Sequence, residues 1–409
     1  MSDKKRLTLF FLCCIVFNMS ASFAHPVTPT LFQGLNLGDY MFGYALAAQL
    51  TTNFLFSPFW GKLSTFVSSR VSLLISCAGY SLGQLFFALS QTEMQFLLAR
   101  AFAGMFAGGS FVSILTYIVN TSTDSASRGK NLTLSATITS VAGAFGFFAG
   151  GMLGEMGIYV ALGAQVLVLL LSGVCFFFIC EKDAQIPFSE LNIRRVAKEA
   201  NPFAAFIAGG KYITLVFAFL LLSSTMHSLG QVSFDQSFNY YLKDVFGFSS
   251  GYNGAIKAAM GIITLAANST VCIYLMTRTN IRKSTFGVFA MSTATMFSIV
   301  MTNKVMPFLA LNVVFYAMSS VALPMLQNLA VDAAVGKDSN LVMGLNNSVR
   351  SLGGIIGAAT AGASYSVNPK LPFVFSLIAF GFGTVFSALY ATKEKPPVIE
   401  EELVVAEPV

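Results

Sequence analysis

Apolar runs recur from one end of this chain to the other, and they constrain its fold more than any other feature. Each is about 20 residues long, enough to cross the hydrocarbon core of a bilayer as an α-helix. Only helices and closed barrels span a membrane, because every backbone polar group must be paired there. Barrel strands would alternate apolar and polar residues, whereas these runs are continuous. The sequence therefore predicts an all-α membrane protein.

Composition supports this class and excludes several others. Only 10% of the 409 residues are charged, against about 25% in soluble domains. The net charge of +6 is spread over short loops, so it indicates no nucleic-acid partner. The six cysteines lack zinc-ligand spacing, and neither a P-loop pattern nor a nucleophile–base pair is present. We expect no metal, no cofactor, no ATP-driven step and no enzymatic activity.

We predict twelve transmembrane spans, over residues 7–30, 39–61, 71–90, 94–118, 132–154, 158–179, 213–241, 249–276, 283–302, 306–330, 340–366 and 371–391. With the N-terminus inside, only Lys243, Lys304 and Lys370 of the loop lysines and arginines fall outside. This bias follows the positive-inside rule. It predicts cytoplasmic termini in a plasma membrane that we expect to be bacterial. The alternative is that the first run is a cleaved signal peptide.

A glycine-rich stretch occurs twice at a constant offset. Ser140–Gly151, SVAGAFGFFAGG, matches Ser351–Gly362, SLGGIIGAATAG, 211 residues later. Gly43 matches Gly254 at the same offset. The common offset predicts a duplicated six-helix unit. Because small residues let helices approach closely in a membrane, we interpret these stretches as faces where the two halves meet, with structural or gating roles for Gly143, Gly146, Gly150, Gly151, Gly354 and Gly357.

The duplication and the polar connections divide the chain into four parts. These are an N-terminal six-helix bundle over 1–180, a central cytoplasmic loop over 181–211, a C-terminal six-helix bundle over 212–392, and a disordered cytoplasmic tail over 393–409. We expect this unit to act as a monomer.

Three motifs resemble the major facilitator superfamily, most closely its twelve-helix drug:proton antiporters. Gly61–Arg70, GKLSTFVSSR, resembles the family pattern G-x-L-[AS]-D-R-x-G-R-[RK], although Thr65 replaces the usual Asp. Arg100 and Gly104 match R-x-x-x-G of the fourth helix. Gly146–Gly151 resembles G-P-x-x-G-G without its Pro. The resemblance implies two six-helix halves that rock about a central site, with gating contacts at Gly61, Lys62 and Arg70.

Ionisable residues inside a span are costly and mark functional positions. Asp235 lies deep in the seventh span, where the resembled antiporters often carry one acidic residue. It could bind and release a proton, or it could be the structural partner of Lys257. Arg100 could serve a proton relay, hold an anionic substrate group, or bind nearby carbonyls. His25 could titrate in the cavity or be a plain hydrogen-bonding group. Arg350 is expected to order the inner gate.

Polar amides and aromatic side chains on the second, seventh and tenth spans predict a wet, aromatic-lined substrate cavity. Its expected lining is Gln49, Asn53, Gln231, Phe234, Gln236, Phe238, Asn239 and Gln327. Hydrogen bonding between helices would also explain several of these amides.

The sequence thus predicts a secondary transporter that exchanges protons for hydrophobic or amphipathic small molecules by alternating access and exports them. Two alternatives stay open. One is a carrier of a defined polar solute, such as a sugar or a lipid-linked sugar. The other is a transporter-like sensor that binds its ligand without moving it.

Topology provides the first test. Reporter fusions in the central loop at Lys211 and after Lys393 should both report the cytoplasmic side, because an even number of spans separates each from an inside N-terminus. A control fusion in the loop that contains Lys304 should report the outside. Opposite results at the first two positions would contradict the twelve-span arrangement.

Overall fold

The computed structural model describes residues 3–122, 124–183, 186, 191–210, 213–333 and 339–393, and these ranges are almost entirely helical. The helices are α1 (Asp3–Ala21), α2 (Thr28–Gly34), α3 (Met41–Leu63), α4 (Ser69–Leu89), α5 (Glu93–Thr121), α6 (Ser125–Met156), α7 (Ile158–Ile179), α8 (Ile193–Glu199), α9 (Ala204–Gly209), α10 (Leu215–Asp244), α11 (Ser250–Ala267), α12 (Ile273–Arg278), α13 (Ile281–Met301), α14 (Val305–Ala333), α15 (Ser339–Tyr365) and α16 (Leu371–Thr392). A π-helical segment, Asn268–Cys272, joins α11 to α12. Residues 394–409 of the expected tail, and 184–185, 187–190 and 211–212 of the central loop, lie outside the described residues.

Nine helical runs in the described ranges are long and apolar enough to cross a membrane. They are α4, α5, α6, α7, α10, α11 with α12, α13, α14 and α16. The other three expected spans coincide with α1 and α2, with α3, and with α15. Those helices carry more polar side chains, such as Asn53 in α3 and Arg350 in α15, which suit contact with other helices better than contact with lipid. Twelve spans therefore remain the prediction, and every predicted span is helical.

The first span differs from the expected single helix over 7–30. α1 ends at Ala21, and a turn through His25 and Pro26 leads into α2. Proline cannot donate a backbone hydrogen bond and disfavours helical geometry in the residue before it. The break leaves the backbone oxygen of His25 free to accept a hydrogen bond from Asn239 Nδ2 of α10 at 2.9 Å.

Helix pairing in the first half is repeated in the second. α1 packs on α6 and α7, and α4 packs on α5 and α7. Correspondingly, α10 packs on α15 and α16, and α13 packs on α14 and α16. This correspondence is the arrangement that a duplicated six-helix unit would give.

Two helix pairs, α3 with α15 and α6 with α11, join the halves, and we call these two contacts the seam. A Cβ added to Gly43 would lie 2.4 Å from the backbone oxygen of Ala358, and one added to Gly362 would lie 2.3 Å from that of Tyr40. The second pair of helices repeats the first. Added Cβ atoms on Gly151 and Gly254 would each lie 2.5 Å from a backbone oxygen of the opposite helix. The repeat-related glycines therefore supply both sides of both contacts.

The expectation that Gly146 and Gly357 face the other half is wrong. A Cβ on Gly146 would lie 2.2 Å from the backbone oxygen of Met19 in α1, and one on Gly357 would lie 2.4 Å from that of Leu229 in α10. Both contacts are within a half. A helix turns about 100° per residue, so Gly146 and Gly151 point in different directions.

The remaining glycines differ in what they pack against: Gly150 and Gly143 face their own half, and Gly354 lies near α10 of its own half and Leu50 of the other half. A Cβ on Gly150 would lie 2.4 Å from the backbone oxygen of Phe23. Gly143 and Gly354 have room for one, with the nearest atoms at 3.6 Å and 3.4 Å. Close backbone approach thus occurs at some of the repeated positions only.

Hydrogen bonds between the halves lie near one end of the seam. We call it the outer end, because the sequence predicts that its loops lie outside. Gln33 Nε2 donates to Asp244 Oδ1 at 3.1 Å, and Tyr240 OH donates to Asp39 Oδ1 at 2.7 Å. The backbone N–H of Gly251 donates to Glu155 Oε1 at 2.6 Å. The structure therefore shows the halves held together at this end.

Glycine packing within a half gives the second prediction. We expect Gly146→Ala to destabilise the protein by about 1–3 kcal/mol, because the added methyl group collides with the α1 backbone. Gly163→Ala is the matched control, since an added Cβ at Gly163 meets no atom within 4 Å. The measurement is the thermal unfolding midpoint in detergent. Equal midpoints for the two variants would contradict this packing.

Candidate functional site

Asp235 lies at the centre of a polar cluster in the second half. Its Oδ1 accepts a hydrogen bond from Lys257 Nζ of α11 at 3.1 Å and another from Tyr316 OH of α14. Gln231 Nε2, one turn earlier on α10, donates to Oδ2 at 3.1 Å. Lys257 also donates to the Tyr316 hydroxyl. Three helices of the second half are therefore tied together through one carboxylate.

The two charges of this cluster differ in their access to solvent. The Asp235 side chain is 34% exposed, whereas that of Lys257 is 10% exposed. The Lys257 ammonium lies over the rings of Tyr316, Phe238 and Phe147, at 5.0, 5.2 and 5.6 Å from their centroids. Asp235 thus reaches the accessible surface, while Lys257 depends on Asp235 and on aromatic faces for compensation.

Arg100 on α5 is buried, at 6% exposure. Its Nη1 donates to Gln49 Oε1 at 3.0 Å, and its guanidinium lies 3.9 Å from the centre of the Phe87 ring. Both of these partners are neutral. Arg100 therefore presents a cation that a polar or anionic group in the centre of the protein can approach.

His25 lies in the turn between α1 and α2. Its ring stacks on Phe147 of α6, with centroids 5.1 Å apart and planes 12° from parallel. Phe147 in turn faces Lys257. The histidine of the first half is thus linked to the Asp235 cluster of the second half through one phenyl ring.

A small cavity lies between the halves and contains Arg100 and His25 in its wall. Its remaining lining is Thr28, Pro29, Phe42, Ala45, Leu46, Gln236, Asn239 and Tyr240. The volume is about 20 Å³, which is room for about one water molecule. Two of the predicted cavity amides, Gln236 and Asn239, therefore reach the same space as two of the predicted ionisable residues.

Phe234 and Phe238 do not line this cavity, contrary to the sequence-based prediction. Both are fully buried, with Phe234 packed 4.4 Å from Phe315 and Phe238 stacked 5.9 Å from Phe308. The physical reason is helical periodicity. Positions 234 and 238 share the face of α10 that is packed into the second half, while Asn239 lies on the adjacent face.

Four other predicted cavity residues lie outside the lining of this cavity. Gln49 holds Arg100, and Gln231 holds Asp235. Asn53 Oδ1 accepts a hydrogen bond from Ser57 at 3.2 Å, and Gln327 is partly exposed on α14. Of these residues, Gln49 makes the expected hydrogen bond between helices, whereas the bonds of Asn53 and Gln231 lie within α3 and within α10.

The residues expected to gate the inner side are near the central loop or on α15. Lys62 Nζ lies 3.5 Å from Glu199 Oε2 of α8, and Arg195 also binds Glu199 and lowers the pKa of that exposed carboxyl. Arg70 stacks over the Phe177 ring at 5.1 Å. An added Cβ at Gly61 meets nothing within 4 Å. On α15, Arg350 has a buried Nε without a hydrogen-bond partner among the described residues.

Sequence reasoning missed Asp183, which follows α7. Its Oδ1 accepts hydrogen bonds from the backbone N–H of Ser69 at 2.6 Å and from Ser68 Oγ at 3.0 Å. Asn120 Nδ2 donates to Oδ2 at 3.0 Å. A carboxylate thus caps the start of α4, close to the loop in which Thr65 replaces the expected Asp. Tyr316 and Phe147 were also missed, because their roles depend on contacts far apart in sequence.

Comparison with known proteins assigns the family. The Major Facilitator Superfamily profile matches residues 10–358. The chain belongs to this superfamily. Its members are transporters and not enzymes, which confirms the predicted fold class, the membrane location and the non-enzymatic activity.

Individual relatives are similar at low identity over nearly the whole chain. The chain is 21% identical over 385 residues to Multidrug resistance protein 1 of Bacillus subtilis (strain 168), covering 93% of this chain and 95% of that protein. It is 24% identical over 400 residues to Multidrug resistance protein MdtG of Klebsiella pneumoniae (strain 342), with 95% and 93% covered. Among solved structures, a bacterial homologue of the iron transporter ferroportin in the inward-facing state has a TM-score of 0.70 at 16% identity, covering 96% of this chain and 100% of that chain. The similarity to the ferroportin homologue is a similarity of fold.

The cap on α4 gives the third prediction. Asp183→Ala should lower stability by about 1–2 kcal/mol, because it removes the acceptor for an N-terminal backbone donor of α4. Asp183→Asn keeps one acceptor oxygen and should lose less stability than Asp183→Ala. Thermal unfolding midpoints in detergent measure both, and an unchanged midpoint for Asp183→Ala would contradict the role of this residue.

Proposed function

We propose that this protein is a proton-coupled exporter of hydrophobic or amphipathic small molecules that works by alternating access. The observation that carries the proposal is the position of Asp235. Of the acidic residues in the described helices, it lies farthest from a helix end. It is partly open to solvent and is tied to Lys257, on a helix that forms the seam. A carboxylate in this position can exchange protons while it senses the contact between the halves.

The proposed cycle exchanges one substrate for a proton across the membrane. Substrate enters from the inside and leaves on the outside once the outer end of the seam has opened. A proton then binds to Asp235 from the outside and is released inside after the halves have rocked back. Both termini would be cytoplasmic, the host membrane would be a bacterial plasma membrane, and a single chain would suffice because both sides of the seam belong to it.

The substrate class is supported by the chemistry of the central region and by the relatives. Arg100, Gln236 and Asn239 provide polar contacts, and Phe42 and Leu46 provide apolar surface in the same wall. This mixture suits amphipathic molecules. The relatives named as multidrug resistance proteins agree with such a substrate range. The 20 Å³ cavity would have to widen to admit substrate.

The fourth prediction concerns Asp235→Asn. The variant preserves the size of the side chain but cannot titrate. In liposomes with an imposed pH gradient, we expect wild-type protein to accumulate a cationic or neutral dye such as ethidium or Nile red, and the variant to permit only equilibration. Asp332→Asn, which changes an exposed carboxylate at the end of α14, is the control and should behave as wild type.

A second variant separates proton coupling from structural pairing. Asp235→Asn leaves the buried Lys257 ammonium without its counterion, which should lower stability. Adding Lys257→Ala removes that charge and should restore the unfolding midpoint. If the double variant also regained proton-driven accumulation, Asp235 would be a structural partner only and the coupling role would be lost. Normal folding without accumulation supports coupling.

A further inference from the structure

Lys257 occupies the face of α11 that packs against the other half. It lies three residues after Gly254 and four before Gly261, and this spacing keeps all three on one side of a helix. An added Cβ on Gly254 would lie 2.5 Å from the backbone oxygen of Phe147, and one on Gly261 would lie 2.1 Å from Ala144 Cβ. The cation that pairs with Asp235 is therefore at the seam.

Phe147 is the residue of the opposite half that faces this cation. Its ring centroid lies 5.6 Å from Lys257 Nζ, within the range of a cation–π contact. The Phe147 ring also stacks on the imidazole ring of His25 in the first half. The next residue, Phe148, is exposed on the outside of the bundle. Of Phe147 and Phe148, therefore, only Phe147 is placed to respond to the charge on Lys257.

We propose that Phe147 is a positioning residue that transmits the charge state of the Asp235–Lys257 pair across the seam. The inference rests on the proposed function and adds how the empty carrier is kept from switching. While Asp235 is ionised, Lys257 is held between Asp235, Tyr316 and the Phe147 ring, and α11 lies tightly on α6. Protonation of Asp235 removes the counterion from Lys257.

An ammonium without a counterion is unfavourable among aromatic rings and draws water or moves toward it. Either response separates the α6 and α11 surfaces that meet at Gly254 and Gly261. Proton binding therefore loosens the contact between α6 and α11 and frees the carrier to pass between its two states in either direction. A carrier that has bound neither a proton nor substrate keeps α11 tightly on α6 and does not change state. This is the condition for exchange without proton leakage.

Other titratable and charged groups surround this pair. Tyr316 contacts both members of the pair from α14. His227 lies eight residues before Asp235 on α10, and its Nε2 donates to the backbone oxygen of Ser319 at 3.0 Å. Of the remaining groups, His25 stacks on the Phe147 ring at 5.1 Å. Arg100 lies in the cavity wall, Arg350 lies on α15, and Asp39 and Asp244 lie at the outer end of the seam.

A disulfide across the outer end measures the state of the seam directly. Thr30 Oγ1 and Ser250 Oγ are 3.5 Å apart and belong to different halves. The Thr30→Cys/Ser250→Cys pair, in full-length protein without its native cysteines, can be oxidised with copper phenanthroline. A protease site in the central loop then shows whether the halves remain linked. Either single-cysteine variant is the control for specificity.

After division at each pH by the oxidation rate of a reference dithiol peptide, which corrects for the loss of thiolate in acid, we expect cross-linking in otherwise wild-type protein to fall about fivefold once the pH is low enough to protonate Asp235, the ratio that loss of one cation–π contact would give. Phe147→Leu should show reduced cross-linking that no longer depends on pH, and its liposomes should leak protons without substrate. Phe147→Tyr should keep the pH dependence. Phe148→Leu, the matched control, should behave as wild type.

A wild-type pH dependence in Phe147→Leu, or no pH dependence in the parent protein, overturns the inference. The two proposals can fail separately. If dye accumulation requires Asp235 but cross-linking ignores pH, the transmission through Phe147 is wrong and proton-coupled export stands. If cross-linking responds to pH through Phe147 but no pH gradient drives any dye, the switch stands and the proposed export is wrong.

Discussion

Direct contact between helix backbones at the seam is the constraint on which the rest of this structure depends. Lipid gives little hydrophobic drive for helix association, so the halves are held by close packing and by hydrogen bonds. Gly43 against Gly362 and Gly151 against Gly254 provide that packing, and only glycine leaves the necessary space. Such contacts are short and separable, which suits two bundles that must come apart and rejoin during each transport cycle.

Charge inside the membrane is placed according to the same division into halves. The Asp235–Lys257 pair ties together helices of the second half, and its cation reaches the seam. Arg100 belongs to the first half and meets neutral partners. The cavity between them is nearly closed in this structure. In the proposed cycle, a side chain that meets the cation of this pair at the seam would give proton binding a direct mechanical consequence.

Segments far apart in sequence meet at the loop that lacks the motif carboxylate. Thr65 cannot provide the carboxylate that related loops carry between the second and third spans. Asp183, supplied from the end of α7, binds the start of α4 instead. The same principle explains the helix break at Pro26, where the freed backbone oxygen of His25 finds Asn239 of the other half. Local sequence departures thus become contacts between distant segments.

The sequence by itself indicated the membrane class, the helical spans and an internal repeat, because length, hydropathy and offset are properties of the chain alone. Its motifs resembled the superfamily to which the chain belongs. It also singled out Asp235 and Lys257 as partners. Only the tertiary structure decided which glycines meet the other half, because helix rotation separates Gly146 from Gly151. It also placed Phe234 and Phe238 in the core and showed that Tyr316 and Phe147 complete the site. Those choices depend on how α10, α11 and α6 are turned about their axes, which no local pattern specifies.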